Sequence, residues 1–257
     1  MRPPDCVLER IESIEHLRYF PDHVARYAFA LQWAPGSRVL DVCCGIGYGT
    51  ELLARAGASA ATGIDISEVA IGKARSRGSG NLSFEIADAC APYRGGPYDL
   101  VTCFEGIEHV PDPAALLQQA HDSLSPGGIA VISTPNSDAF PSGCSDNPFH
   151  VAEMTERVFR GMASALEWDL EWWAQIGNNR SARPAWQRRL IRSLRLRGIG
   201  KQRPPDQPAS VERVLPDWPQ PANLWAPLPW DAAVDQIYSP PPAVIIAVCH
   251  KPKQLTK

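Results

Sequence analysis

The chain has no apolar run approaching the ~18 residues that a membrane-spanning helix needs. It also has no basic segment followed by an apolar stretch near residue 1, so neither a span nor a secretory leader is expected. It has no Cys-x-x-Cys pair, and its seven cysteines are odd in number and scattered. That argues against a disulfide framework or a structural zinc site and makes a reducing cytoplasm the expected compartment. There is no internal repeat. Net charge is small, 25 basic against 28 acidic residues for a total of −3. With 44% hydrophobic and 21% charged residues, wholesale disorder is excluded, and 257 residues suffice for one or two domains with a true core.

What is abundant is proline, with 25 residues, and tryptophan, with eight. Neither is spread evenly. Seven tryptophans lie between Trp168 and Trp230, and eleven prolines fall in 204–242. Charge is uneven too. Residues 1–177 hold 12 Lys/Arg and 23 Asp/Glu, a net −11, whereas 178–203 hold nine bases and no acid. The remainder has four bases and five acids. The expected organisation is therefore an acidic core (1–177), an insert that is basic and then Pro/Trp-rich (178–242), and a closing strand with its tail (243–257).

Within the core, β-branched runs alternate with helical patterns. Strands are expected at Arg38–Cys43, Ala60–Ile64, Leu82–Ile86, Tyr98–Cys103 and Ile129–Ser133, with helices around Gly49–Ala56, Glu68–Ser76 and Pro113–Ser123. A helix over Asp22–Trp33 precedes them, stopped by Pro35-Gly36. A helix over Thr155–Leu166 and strands around Glu167–Ala174 and Ala243–Cys249 follow. Strands separated by helices require crossover connections and hence a mainly parallel α/β sheet.

Asp41-Val42-Cys43-Cys44-Gly45-Ile46-Gly47-Tyr48-Gly49 puts a Gly-x-Gly-x-Gly turn between a buried strand and a helix. Glycine lets backbone turn tightly and approach a ligand, though a tight strand-to-helix turn alone uses the same residues. Later acids favour the ligand. Asp65 ends the second strand about 20 residues on, where a carboxylate can take both hydroxyls of a ribose. Asp88 follows the third strand, within reach of an adenine amino group.

These motifs resemble those of the class I S-adenosylmethionine-dependent methyltransferases, over about residues 20–175. The loop opens on Asp41 and lacks the third glycine at dinucleotide spacing, which disfavours a nicotinamide dehydrogenase. The resemblance implies a Rossmann-like, seven-stranded, mostly parallel sheet whose last strand is antiparallel. It implies that Asp41, Cys43, Gly45, Gly47 and Gly49 hold the methionine part of S-adenosyl-L-methionine. Asp65 and Ile66 would then meet the ribose, Asp88 and Ala89 the adenine. Ser125-Pro126-Gly127-Gly128 is a turn in that family. His23-Val24-Ala25-Arg26-Tyr27 resembles the His-x-x-Arg-Tyr of bacterial members, where the helix covers the cofactor; a surface His and Arg on an amphipathic helix is the alternative.

Glu105-Gly106-Ile107-Glu108-His109 follows the fourth strand, and in an open parallel sheet ligands sit beyond strand C-termini. Ser133-Thr134-Pro135-Asn136 and Asn147–His150 leave the same edge, so His150 is within reach of that turn. The set resembles quinone-precursor O-methyltransferases and small-RNA 2′-O-methyltransferases. The RNA branch implies a divalent cation (Mg, Mn, Fe or Zn) held by Glu105, Glu108, His109 and His150, which would activate an acceptor hydroxyl. Two alternatives stand beside it. In one, His109 or His150 is a metal-free base, with Glu108 beside it; in the other, the turn only supports the cofactor loop, with Glu105 along the methionine amino group. The net −11 of the core opposes a polyphosphate. The wording around Ser133–Asn136 and Asn147–Glu153 also resembles bacterial glycan and secondary-metabolite methyltransferases. The expected activity is thus O-methylation of a small molecule (a secondary metabolite, sugar or quinone-like acceptor). RNA 2′-O-methylation and small-molecule N-methylation are the alternatives.

In the insert, Trp186, Leu190 and Leu194 share one face of a short basic helix over 185–197. Docking on the acidic core, an anionic substrate or peripheral membrane contact are all open to it. The prolines beyond it disfavour regular ladders, yet Trp218, Trp225 and Trp230 argue for packing on the body or a lid over the acceptor. Monomer and homodimer are equally compatible with the sequence.

Overall fold

The computed structural model describes residues 20–93, 95–140, 147–175, 228–230 and 242–253. The basic helix expected at 185–197, with Trp186, Trp218 and Trp225, lies outside the described residues. Helix α1 (Pro21–Ala30) leads through a 3-10 turn (Leu31–Trp33) into β1 (Arg38–Val42). Then alternate α2 (Tyr48–Arg55), β2 (Ala60–Asp65), α3 (Glu68–Arg75), β3 (Leu82–Ile86), β4 (Tyr98–Phe104), α4 (Pro113–Ser123) and β5 (Leu124–Pro135). The chain continues with α5 (Glu156–Ala163), β6 (Asp169–Gln175), β7 (Leu228–Pro229) and β8 (Val244–His250).

Local chemistry sets the helix starts. Ser67 Oγ accepts from Ala70 N (3.3 Å), Asp112 Oδ1 from Ala115 N (3.0 Å) and Thr155 Oγ1 from Val158 N (3.3 Å). Each satisfies a backbone donor that the first helical turn leaves orphaned.

The sheet runs β3-β2-β1-β4-β5-β8-β6-β7. Strands β1 to β5 pair in parallel, and β8 enters antiparallel between β5 and β6. The expected seven-stranded frame is present, and Leu228–Pro229 extends it by a two-residue edge strand on β6. That pairing falls inside the proline-rich stretch expected to avoid ladders. It is possible because an edge strand tolerates a residue with no N–H. Just beyond, Trp230 N donates to Trp172 O at 2.8 Å. The Arg160 guanidinium lies 4.3 Å from the Trp172 ring centroid and 5.7 Å from that of Trp230. One tryptophan of the insert thus packs on the body.

Strand β8 shows how the core is divided. Val244, Ile246 and Val248 join the layer that holds Val24, Leu52 and Ile71. Ile245, Ala247 and Cys249 join the layer that holds Leu116 and Phe159. All six are buried, so the strand reads as one continuous apolar run, as a central strand covered on both faces must. α1, α2 and α3 cover one face and α4 and α5 the other. The order reverses between β1 and β4, and there the C-terminal strand ends open the crevice in which such sheets place their ligands. Among the described residues no helix is long and apolar enough to cross a membrane.

Candidate active site

Two loops meet at this crevice. The first leaves β1, where Cys43 takes the left-handed conformation (φ 57°) and Gly45 and Gly47 follow at 56° and 78°. The three glycines of the motif serve different ends. A Cβ on Gly45 would meet no atom within 4 Å, so this position faces the open crevice. A Cβ on Gly47 would fall 2.4 Å from the Phe84 ring, and one on Gly49 only 1.9 Å from Tyr27 Cζ. Those two are glycines because the protein packs against them.

Asp41 lies beneath the loop and is fully buried. Its carboxylate accepts from Thr50 Oγ1 (2.7 Å), Thr102 Oγ1 (2.7 Å) and Tyr27 OH (3.1 and 3.2 Å). Burial pushes its pKa up to about 6, while the hydroxyl donors hold it down. Asp65 closes the other side of the loop, with Oδ2 accepting from Gly45 N (2.9 Å) and Oδ1 from Ser67 N (2.8 Å). Ile66 beside it is 68% exposed, and Ala89 is buried. Asp88 Oδ1 accepts from Cys90 N at 2.9 Å.

The second loop leaves β4. Glu105 is also left-handed (φ 52°). Its N–H reaches Ser133 Oγ (3.2 Å), and its Oε1 accepts from the same hydroxyl (2.9 Å). Its Oε2 stands 3.8 Å from Arg26 Nη2. The sequence left Arg26 open between a surface position and a cofactor cover; the structure buries it completely. Its Nη1 donates to Gln175 Oε1, while Nε and Nη2 make no hydrogen bond. Burial pulls its pKa down, but Glu105 and Asp22 more than offset this, and it remains charged.

Three of the four residues expected around a cation come together. Glu108, His109 and His150 bring ligand atoms within 4.8 Å of one another, and the two imidazoles meet edge-on with centroids 4.8 Å apart. Glu105 is not among them, because Ser133 and Arg26 engage its carboxylate. Glu108 is fully buried, and burial, then the neighbouring Glu105 charge, pushes its pKa well above the usual carboxylate range. One of its oxygens accepts weakly from Thr134 Oγ1 (3.3 Å); the other, Oε1, makes no hydrogen bond. The loop that carries His150 is clamped to this turn by Val151 N and Ala152 N, which donate to Glu108 O at 2.9 and 3.0 Å.

Sequence reasoning missed the supports Thr50, Thr102 and Gln175, and it named Ser133 only as part of a segment, with no tie to Glu105. Each is a common polar residue at a strand or helix position, and only the sheet order brings it to the site.

An open sheet of order 3-2-1-4-5, β8 inserted antiparallel beside β5, a glycine loop after β1 and an acid at the end of β2 together define a class I, Rossmann-like methyltransferase fold. Solved structures share it at low identity. One is an S-adenosylmethionine-dependent methyltransferase from Mesorhizobium loti (TM-score 0.55, 17% identical, covering 93% of this chain and all of that one). Another is the [4+2]-cyclase SpnF (TM-score 0.56, 22% identical, covering 93% and 82%), so the fold by itself does not dictate the chemistry. The chain belongs to the methyltransferase-domain family, whose model matches residues 13–195. Curated relatives include ubiquinone biosynthesis O-methyltransferases. That of Aromatoleum aromaticum is 42% identical over 106 residues, 39% of this chain and 45% of the relative. That of Methylococcus capsulatus is 38% identical over 138 residues, 52% and 55% respectively. The chain spans about half the length of the curated relatives it matches.

Proposed function

We propose that this protein transfers the methyl group of S-adenosyl-L-methionine to an oxygen of a small-molecule acceptor. The observation that carries this reading is the meeting, at the adjacent ends of β1 and β4, of a glycine loop open to the crevice and a pair of imidazoles on a buried acid. When bound, S-adenosyl-L-methionine would supply a sulfonium methyl group open to in-line attack by an oxygen nucleophile, with the thioether S-adenosylhomocysteine as the leaving group.

The residues fit that ligand. Gly45 leaves room for its backbone-close approach, and Asp65 stands where a ribose diol is held. Ile66, exposed beside Asp65, is open to the ribose, and Asp88 with Ala89 follows β3 where the adenine would lie. Arg26 adds what the sequence did not assign: two buried donor nitrogens that make no hydrogen bond, on a positive charge ion-paired with Glu105 and Asp22, suited to the carboxylate of the methionine part. Asp41, with its oxygens taken by Tyr27, Thr50 and Thr102, holds the loop in shape.

On the acceptor side, His109 or His150 would take the hydroxyl proton, which raises the nucleophilicity of the oxygen. The protein otherwise contributes proximity and alignment, which for a bimolecular displacement are large terms. The ubiquinone biosynthesis O-methyltransferases among its relatives favour a quinone-precursor-like acceptor over sugar or RNA.

A second reading has its own observation. Glu108 Oε1 is buried without a hydrogen bond and shares a cluster with two imidazoles. Where a divalent cation binds, Glu108, His109 and His150 would hold it, and it would acidify the acceptor hydroxyl.

Calorimetry with S-adenosylhomocysteine should show binding by the wild type and none by Asp65→Ala; equal affinity of the two overturns the cofactor assignment. Labelled-methyl transfer to ortho-dihydroxy aromatics then tests the acceptor class. Activity that survives a chelator supports the metal-free imidazole base; activity lost and restored by added Mg, Mn, Fe or Zn supports the cation.

A further inference from the structure

His150 is held at both ring nitrogens by residues to which the sequence assigned no role of their own. Its Nδ1 lies 2.6 Å from Glu153 Oε1, and its Nε2 lies 2.9 Å from Asn147 Nδ2. The direction of these bonds follows from a third. Asn147 Oδ1 accepts from Phe149 N–H at 3.0 Å, so the amide is oriented with its NH2 toward His150. An amide NH2 can only donate, so His150 Nε2 is the acceptor and carries a lone pair. The proton of the neutral ring is then on Nδ1, where the Glu153 carboxylate receives it.

The neighbouring imidazole obeys the same rule. His109 Nδ1 lies 3.0 Å from the carbonyl oxygen of Phe149, which can only accept, so His109 Nδ1 is the donor. Both histidines of the cluster are therefore set as the same tautomer by one short loop.

That loop is fixed at several points. Ala152 is tied to Glu108 O, and Met154 O accepts from Ser137 N at 3.1 Å, so Glu153 sits between two anchored neighbours. Side chains of His150 and Glu153 are only 10% and 11% exposed, so water competes little for the bond.

We infer that Glu153 and Asn147 are positioning residues that fix the orientation of the His150 ring and hold it as the Nδ1–H tautomer. Their effect on methyl transfer would come through the placement of the His150 ring. The catalytic part of this inference rests on the methyl-transfer reading above; the tautomer does not.

The test is long-range 15N–1H correlation NMR on the full chain labelled at histidine, with His150 assigned by comparison with His150→Gln. The wild type should show His150 protonated at Nδ1 and bare at Nε2. Glu153→Gln keeps an amide oxygen for Nδ1–H and should preserve that pattern, whereas Glu153→Ala should shift it toward Nε2–H. A wild-type ring protonated at Nε2, or a pattern unchanged in Glu153→Ala, overturns the inference whether or not any acceptor is methylated. In the methyl-transfer assay, Glu153→Ala should lower kcat by about 10- to 100-fold, the range of a misplaced catalytic group, and leave S-adenosylhomocysteine affinity unchanged. Glu153→Gln should recover part of the loss. An equal loss of cofactor affinity would show that Glu153 merely supports the fold, and would overturn its positioning role.

Discussion

Replacing Gly49 by alanine probes how the cofactor loop is held. Gly49 lies within α2, where alanine is intrinsically favoured over glycine by about 1 kcal/mol. Packing opposes that gain. The new Cβ would fall 1.9 Å from Tyr27 Cζ and 2.1 Å from Cε1, far inside contact distance. Tyr27 has nowhere to turn, since its ring meets Phe104 edge-on at 4.8 Å and Tyr48 at 5.4 Å. Its hydroxyl is bound to the buried Asp41 carboxylate. Overpacking a core costs ~1–3 kcal/mol, and losing a hydrogen bond to a charged group costs ~1.5–3 kcal/mol more. Against the helix gain, the net loss is about 1.5–5 kcal/mol. For a domain of this size that lowers Tm by roughly 3–20 °C. Thermal and urea unfolding followed by circular dichroism would measure it. The same change in a Tyr27→Ala background should cost nothing, because the obstructing ring is gone. Gly45→Ala is the contrasting case. Its Cβ meets nothing within 4 Å, so stability should fall only by the ~1–2 kcal/mol of a left-handed alanine, while affinity for S-adenosylhomocysteine drops at least about tenfold. A Gly49→Ala protein as stable as the wild type, or equally destabilised with and without Tyr27, would refute the packing argument.

Two other outcomes follow from buried charge. Arg26→Met should reduce S-adenosylhomocysteine affinity by about tenfold or more, as expected for a lost charge-assisted contact, in calorimetry; unchanged affinity would remove Arg26 from the cofactor site. Asp41 has a folded pKa of about 6 against 3.8 for the free group, so the folded state binds its proton more tightly than the unfolded chain does. The associated stability is fully present below pH 3.8 and is lost as pH rises through about 6. Between pH 4 and pH 7 the wild type should therefore lose about 2 kcal/mol relative to Asp41→Asn in urea unfolding. Parallel pH curves for the two would contradict a buried, proton-binding Asp41.

Much of the frame was legible because it depends on short-range pattern. Leu82–Ile86 and Pro113–Ser123 fall at their expected bounds, and the other core strands and helices begin or end within a few residues of theirs. The exceptions have local causes. β5 starts at Leu124 rather than Ile129 because Leu124 pairs with Tyr98 across an irregularity in register. α1 tightens into a 3-10 turn at Leu31 before Pro35-Gly36. The strand at Leu228–Pro229 was invisible because two residues carry no periodicity, and only the free edge of β6 selects them.

By itself the sequence determined the class of fold, the loop after β1, the acids after β2 and β3, and the Glu-His turn after β4. All of these are local: alternating apolar runs fix which face is buried, and turn residues fix where each strand ends. Only the tertiary structure decided what those residues do to one another. It turned Asp41 and two of the three glycines inward, because Tyr27, Phe84, Thr50 and Thr102 arrive from distant elements and fill the space behind the loop. It buried Arg26 beside Glu105 and Asp22, drew Glu105 away to Ser133, and left Glu108, His109 and His150 as a group of three. Hydrogen-bond partners and burial depend on which strands become neighbours, and that order is a property of the packed sheet rather than of any one segment.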